Sequence, residues 1–202
     1  MVKGIAFALS ACFIWGLIFI IPYFMGNYSS IEIALGRYLF YGAISLLLLL
    51  KARCRYPLSV WIKALYLSFL SGYYLWVVLA IRYASPEICA LVLGTSPITI
   101  ALYGNWTQKE GNFKLLILPS FLILIGLIMI NVPHIIMTNS PLEYAIGLIF
   151  SFLSLASWTL YVVLNSRFLK NNPLIGSNDW ATIQGVATLF WVIICGLACS
   201  IF

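Results

Sequence analysis

The chain has 202 residues, of which 63% are hydrophobic and only 8% charged, and its mean hydropathy is +1.06. A soluble domain of this length cannot hide so many apolar side chains from water, so lipid must cover much of the molecule. The net charge of +6 does not point to nucleic acid, because the basic residues sit in short clusters between apolar runs and read as topology signals.

A helix needs about 20 apolar residues to cross a bilayer. Seven segments meet that need: Gly4 to Met25, Ile31 to Leu50, Lys63 to Ile81, Pro86 to Trp106, Leu115 to Val132, Leu142 to Ser166 and Trp180 to Ile201. They are continuously apolar with no period-two alternation, which favours helices over barrel strands. The fold class expected is an all-α integral membrane protein of about seven transmembrane helices. One Lys and a long apolar run with no small-residue cleavage site open the chain, so the first span is expected to be retained. Lys3 precedes the first span; Lys51, Arg53, Arg55 and Lys63 follow the second; Lys109 and Lys114 follow the fourth; Arg167 and Lys170 follow the sixth. These residues share one side if every segment spans, and the positive-inside rule puts that side, with the N-terminus, in the cytoplasm. Arg37 and Arg82 stand apart.

The stretch Gly147 to Leu169 reads as a second copy of Gly4 to Met25. Gly4 precedes Trp15 by eleven residues, and Gly147 precedes Trp158 by the same eleven, with Ala8 matched to Ser151 and Gly16 to Thr159. Five spans come between the start of one copy and the start of the next, so the copies run in opposite directions. Residues 1–135 then form a five-helix repeat, and 142–202 hold the first two helices of an inverted second repeat. A weaker echo pairs Gly36 with Gly185. Inverted repeats are characteristic of secondary transporters, whose two similar halves exchange conformations to open either face.

GIAFALSACFIWG, IEIALGRYLF, YASPEICALVLGTSPITIAL and LASWTLYVVLNSRFL together resemble the EamA-type branch of the drug/metabolite transporter superfamily. The resemblance runs along essentially the whole chain. It implies a bacterial inner-membrane transporter of ten helices built as two inverted five-helix repeats around a central cavity. This chain departs from that plan by stopping at Phe202, near the end of a seventh helix, and so looks shortened at its C-terminus.

Several residues are candidates for function. Gly4, Ala8, Cys12 and Gly16 make a smooth stripe for close helix packing, and Ser68 with Gly72 and Ala90 with Gly94 repeat that spacing. Arg37 lies about two turns inside the outer end of the second span. An arginine there either serves a site or snorkels to headgroups, and Glu32, five residues away, is poorly placed to pair with it. The resemblance adds weight to the functional side, since an arginine here is a common family feature. Pro97 is expected to break the fourth span and free the Leu93 carbonyl. By resemblance that span lines a cavity, so Ser96 and Pro97 join the candidates. Trp15, Tyr73, Tyr74, Trp76, Trp158 and Tyr161 lie deep enough to line a pocket for an amphipathic or cationic metabolite, with helix packing as the competing reading.

Tyr56, Trp61, Trp106 and Trp180 sit near span ends and read as interfacial anchors. Glu87 and Asp179 suit helix N-termini, and His134 is expected in the link after the fifth span. Cys12, Cys54, Cys89, Cys195 and Cys199 read as small core residues. With no nucleotide loop, hydrolase elbow or metal-ligand cluster in the sequence, neither an enzyme nor a cofactor is expected. The function expected is secondary transport of a small organic metabolite, such as an amino acid, by alternating access. The alternative is a shortened relative that no longer transports, or an assembly or regulatory partner. The expected partners are the lipid bilayer, a small solute, and a second copy or separately encoded remaining helices.

Overall fold

The computed structural model describes residues 2–52, 56–108, 114–137 and 140–201. Among them the chain forms nine helical segments: α1 (Val2–Phe24), α2 (Ser30–Ala52), α3 (Leu58–Leu70), α4 (Tyr73–Tyr83), α5 (Pro86–Gly94), α6 (Ser96–Gln108), α7 (Lys114–Met137), α8 (Pro141–Asn171) and α9 (Ser177–Ile201). They make seven spans long and apolar enough to cross a membrane, because α3 with α4 and α5 with α6 each make one broken span. The protein is thus an all-α integral membrane protein. Arg53, Cys54, Arg55, Lys109 and Phe202 lie outside the described residues, as do the side chains of Lys3, Ala8, Lys114, His134 and Cys199.

Local chemistry sets the helix starts. Ser29 and Glu32 form a reciprocal capping box at the head of α2: the Ser29 N–H donates to Glu32 Oε2 at 2.6 Å and the Glu32 N–H to Ser29 Oγ at 3.2 Å. Ser85 caps α5, accepting from the Ile88 N–H at 3.3 Å, and Pro86 fills the first turn, where no N–H is needed.

The fourth span breaks at Thr95, next to Pro97 as expected. Thr95 donates both its N–H (3.1 Å) and its hydroxyl (2.7 Å) to the Val92 carbonyl, closing the last turn of α5. The third span was expected to be continuous from Lys63; it begins at Leu58 and breaks at Ser71–Gly72. There the Ser71 carbonyl accepts from the Tyr38 hydroxyl at 2.6 Å, and the same hydroxyl accepts from the Tyr74 N–H at 3.3 Å.

The core sits where α4 crosses α8, with α1, α2 and α5 packed against it, and where α3 meets α8 and α9. Val77, Val78 and Ala80 of α4 are fully buried. Gly147 of α8 touches the α4–α5 junction so closely that a Cβ would lie 2.5 Å from the Ala84 nitrogen, and Tyr73 meets Trp158 further along. These two contacts make α8 antiparallel to α4. Among the described residues the α2–α9 contact is the broadest. Gly185 admits Ser45 there and Gly42 admits Leu189, an antiparallel crossing.

Several expectations are corrected. Three members of the small-residue stripe of α1 are open among the described residues: a Cβ at Gly4 or Gly16 would meet nothing within 4 Å, and Cys12 is exposed. Gly94 is equally open, and so is Gly36, whose proposed counterpart Gly185 is closed. Cys195 is exposed rather than core, whereas Cys89 is buried. Trp180 is no interfacial anchor but 1% exposed, stacked on Phe168 at 4.0 Å and donating to Asn165 Oδ1 at 2.7 Å. His134 lies within α7, which continues past Pro133 to Met137.

Candidate functional site

Aromatic rings from three helices converge on Trp158 of α8. Tyr73, at the start of α4 just past the Gly72 break, lies 4.8 Å from it between ring centroids, Tyr161 5.6 Å and Trp15 of α1 5.7 Å. The break places Tyr73 there, because it starts a new helix at that depth. Trp15 remains 41% exposed, leaving the α1 side of the cluster open. Four of the expected residues, Trp15, Tyr73, Trp158 and Tyr161, are therefore one group.

Polar groups border the rings. The Tyr161 hydroxyl donates to Gln184 Oε1 of α9 at 3.1 Å. Gln184 is 5% exposed, and its Nε2 has no hydrogen-bond partner among the described residues. One turn earlier on α9, the Ala181 carbonyl accepts from the Tyr41 hydroxyl at 2.7 Å. Arg37 lies over the ring of Tyr74, neighbour of Tyr73 in sequence, at 4.2 Å, and its Nη1 is buried without a partner among the described residues. The reading in which Arg37 snorkels to headgroups is not what this geometry provides; the guanidinium stacks against α4. Glu32 is engaged with Ser29 instead.

The other candidates lie elsewhere. Trp76 stacks on Phe150 at 5.8 Å, with Tyr83 on the same ring. Ser96 is buried with its carbonyl accepting from Thr99 Oγ1 at 3.1 Å, while Pro97 is exposed. Thr99 also reaches Thr159 at 2.7 Å, tying α6 to α8.

Sequence reasoning missed Gln184 and the tyrosines 38 and 41. An amide within an apolar span was the available signal, since such groups are costly at depth and mark interhelical bonds or pathways. Ring faces, an amide N–H and a guanidinium give this region the means to hold a small solute that offers an apolar body and a hydrogen-bond acceptor.

The sequence profile described as the EamA-like transporter family matches residues 2–132. The chain is 30% identical over 201 residues to the inner membrane protein YtfF of Escherichia coli (strain K12), a match covering 94% of this chain and 63% of YtfF. It is 27% identical over 112 residues to a protein named uncharacterized transporter YyaM, from Bacillus subtilis (strain 168), covering 55% of this chain and 37% of that one. The chain thus spans less than two thirds of the length of these relatives. No solved structure matches it.

Proposed function

The chain belongs to the EamA-like transporter family, and from that premise we propose that it is a secondary transporter of a small organic metabolite, such as an amino acid, working by alternating access in a bacterial inner membrane. The observation that carries this reading is the convergence of Trp15 and Trp158, the equivalent residues of the two sequence copies, at 5.7 Å beside the unmatched Gln184 amide. Residues 1–135 and 142–202 act as the two inverted halves, with the N-terminus cytoplasmic. The antiparallel α2–α9 crossing supports this arrangement, since α2 and α9 are the second helices of the two halves. Trp15, Tyr73, Trp158, Tyr161 and Gln184 contact the solute, and Arg37 attracts its anionic group. Trp76, Ser96 and Pro97 act in the supporting helices.

Uptake of labelled amino acids into proteoliposomes tests this. Flux is expected to fall in Trp158→Leu and Gln184→Leu while Phe121→Leu, on the lipid side of α7, stays at the native rate. Equal flux in all three removes the ring cluster from the pathway.

A second reading, an assembly partner completed by a second copy or by separately encoded helices, is favoured by the uncovered α1 face at Gly4 and Gly16. Oxidative crosslinking through the exposed Cys12, in a variant with the other cysteines replaced by Ala, gives a dimer band if a second copy lies there. A monomer band alone leaves the second copy out.

A further inference from the structure

A cavity of about 420 Å³ opens between the first turns of α3 and the last turns of α8. It is separate from the ring cluster and plays no part in the transport reading. Lys63 enters its wall from α3 and Arg167 from α8, with Ser59, Asn171 and Asn172 beside them. Val60, Tyr66, Leu67, Leu164 and Phe168 complete the lining. Two cations from different helices share one concavity. α3 begins here with no side-chain cap, so its first-turn N–H groups add positive field at the same place. Both helix ends terminate membrane spans, which sets the cavity at the level of headgroups rather than in the hydrocarbon.

We propose that this cavity binds a phosphate group, that of an anionic phospholipid headgroup in the leaflet where α3 begins and α8 ends. The charge selects the lipid class. Lys63 and Arg167 hold the phosphodiester oxygens, Ser59 and the two asparagines hydrogen-bond the headgroup, and the apolar residues receive the upper part of the acyl chains. A free anion would use the cations but leave the apolar part of the lining in contact with water. The bound lipid bridges α3 and α8, which belong to different halves of the chain, and so couples leaflet composition to their separation.

The 202-residue chain, reconstituted in vesicles of equal phosphatidylglycerol and phosphatidylcholine and then extracted into mild detergent, is examined by native mass spectrometry. A retained phosphatidylglycerol in clear preference to phosphatidylcholine is expected. Lys63→Gln, at an exposed residue, lowers its occupancy about fivefold, the value of one interfacial cation. Lys63→Gln with Arg167→Gln lowers it further, and Arg82→Gln, in the last turn of α4, leaves it unchanged. Equal retention of the two lipids, or phosphatidylglycerol retention indifferent to Lys63→Gln, overturns the proposal. So does a thermal stabilisation by inorganic phosphate that Lys63→Gln abolishes in the absence of any lipid preference, since that assigns the cavity to a free anion.

Discussion

Replacing Gly147 by Ala inserts one methyl group at the tightest point between α8 and the α4–α5 junction. Its Cβ would lie 2.5 Å from the Ala84 nitrogen, 2.6 Å from the Ala84 Cβ and 2.9 Å from the Tyr83 carbonyl carbon. These atoms are mainly backbone, and no rotamer change moves them aside. Ala84 is further held by its N–H donating to the Ala80 carbonyl at 2.9 Å. Relief therefore requires α8 to retreat, and overpacking of this kind costs about 3 kcal/mol at the upper end of its usual range. The better helix propensity of Ala returns about 1 kcal/mol, leaving a net loss of about 2 kcal/mol. The counterpart Gly4→Ala meets nothing within 4 Å and keeps the propensity gain alone, about 0.5–1 kcal/mol. Both variants are compared with the native chain by thermal unfolding in one detergent, followed by intrinsic tryptophan fluorescence. A Gly147→Ala protein that unfolds at or above the native temperature refutes the packing argument, and a Gly4→Ala protein destabilised as much as Gly147→Ala shows that the α1 stripe is covered after all.

Three further outcomes are expected. Arg37→Met removes a buried, unmatched N–H and is expected to raise stability by about 1 kcal/mol, that cost less the stacking lost on Tyr74, while solute flux falls; a less stable variant contradicts the account of Arg37. Tyr38→Phe strips the Ser71 carbonyl of its donor and costs about 1–3 kcal/mol, read from the same unfolding curves, with no loss contradicting the role given to the hydroxyl. Trp180→Ala empties a fully buried site against Phe168 and costs about 3–5 kcal/mol. An unfolding temperature within error of native for that variant would return Trp180 to the membrane interface.

The seven spans were legible because a continuous apolar run has only one way to lie in lipid, and helix ends then follow from length. The fourth-span break was legible too, since Pro97 carries its own chemical reason. The break at Ser71–Gly72 was not, because Ser68 and Gly72 fit a packing stripe equally well, and the group that makes the break tolerable is a hydroxyl from another helix. Trp180 misled for a similar reason. Its place near a span end suggested an anchor, and it is the packing of α3 and of Asn165 and Phe168 from α8 around it that buries it. Of the candidate site, the pairing of Trp15 with Trp158 could be read from the repeat. Gln184 carried a signal as an amide within an apolar span, but not its role, because its partner Tyr161 lies on a neighbouring helix and the orphaned Nε2 exists only once α9 is packed. The α1 stripe shows the converse: a sequence suited to packing says nothing about whether a partner helix is at hand.

The Tyr38 hydroxyl has a mechanical consequence. It donates to one side of the third-span break and accepts from the other, at Ser71 and Tyr74, so a single oxygen clamps α2 to both pieces of the span. α4 has 11 residues, a length of about 16 Å, roughly half the hydrocarbon thickness, so the clamp operates deep in the bilayer, where water is scarce as a replacement. Separating α2 from the break would strand a carbonyl and an N–H at once. α2, the end of α3 and the start of α4 are thereby fastened into one moving part, and relative motion is directed to the contacts that side-chain packing alone maintains.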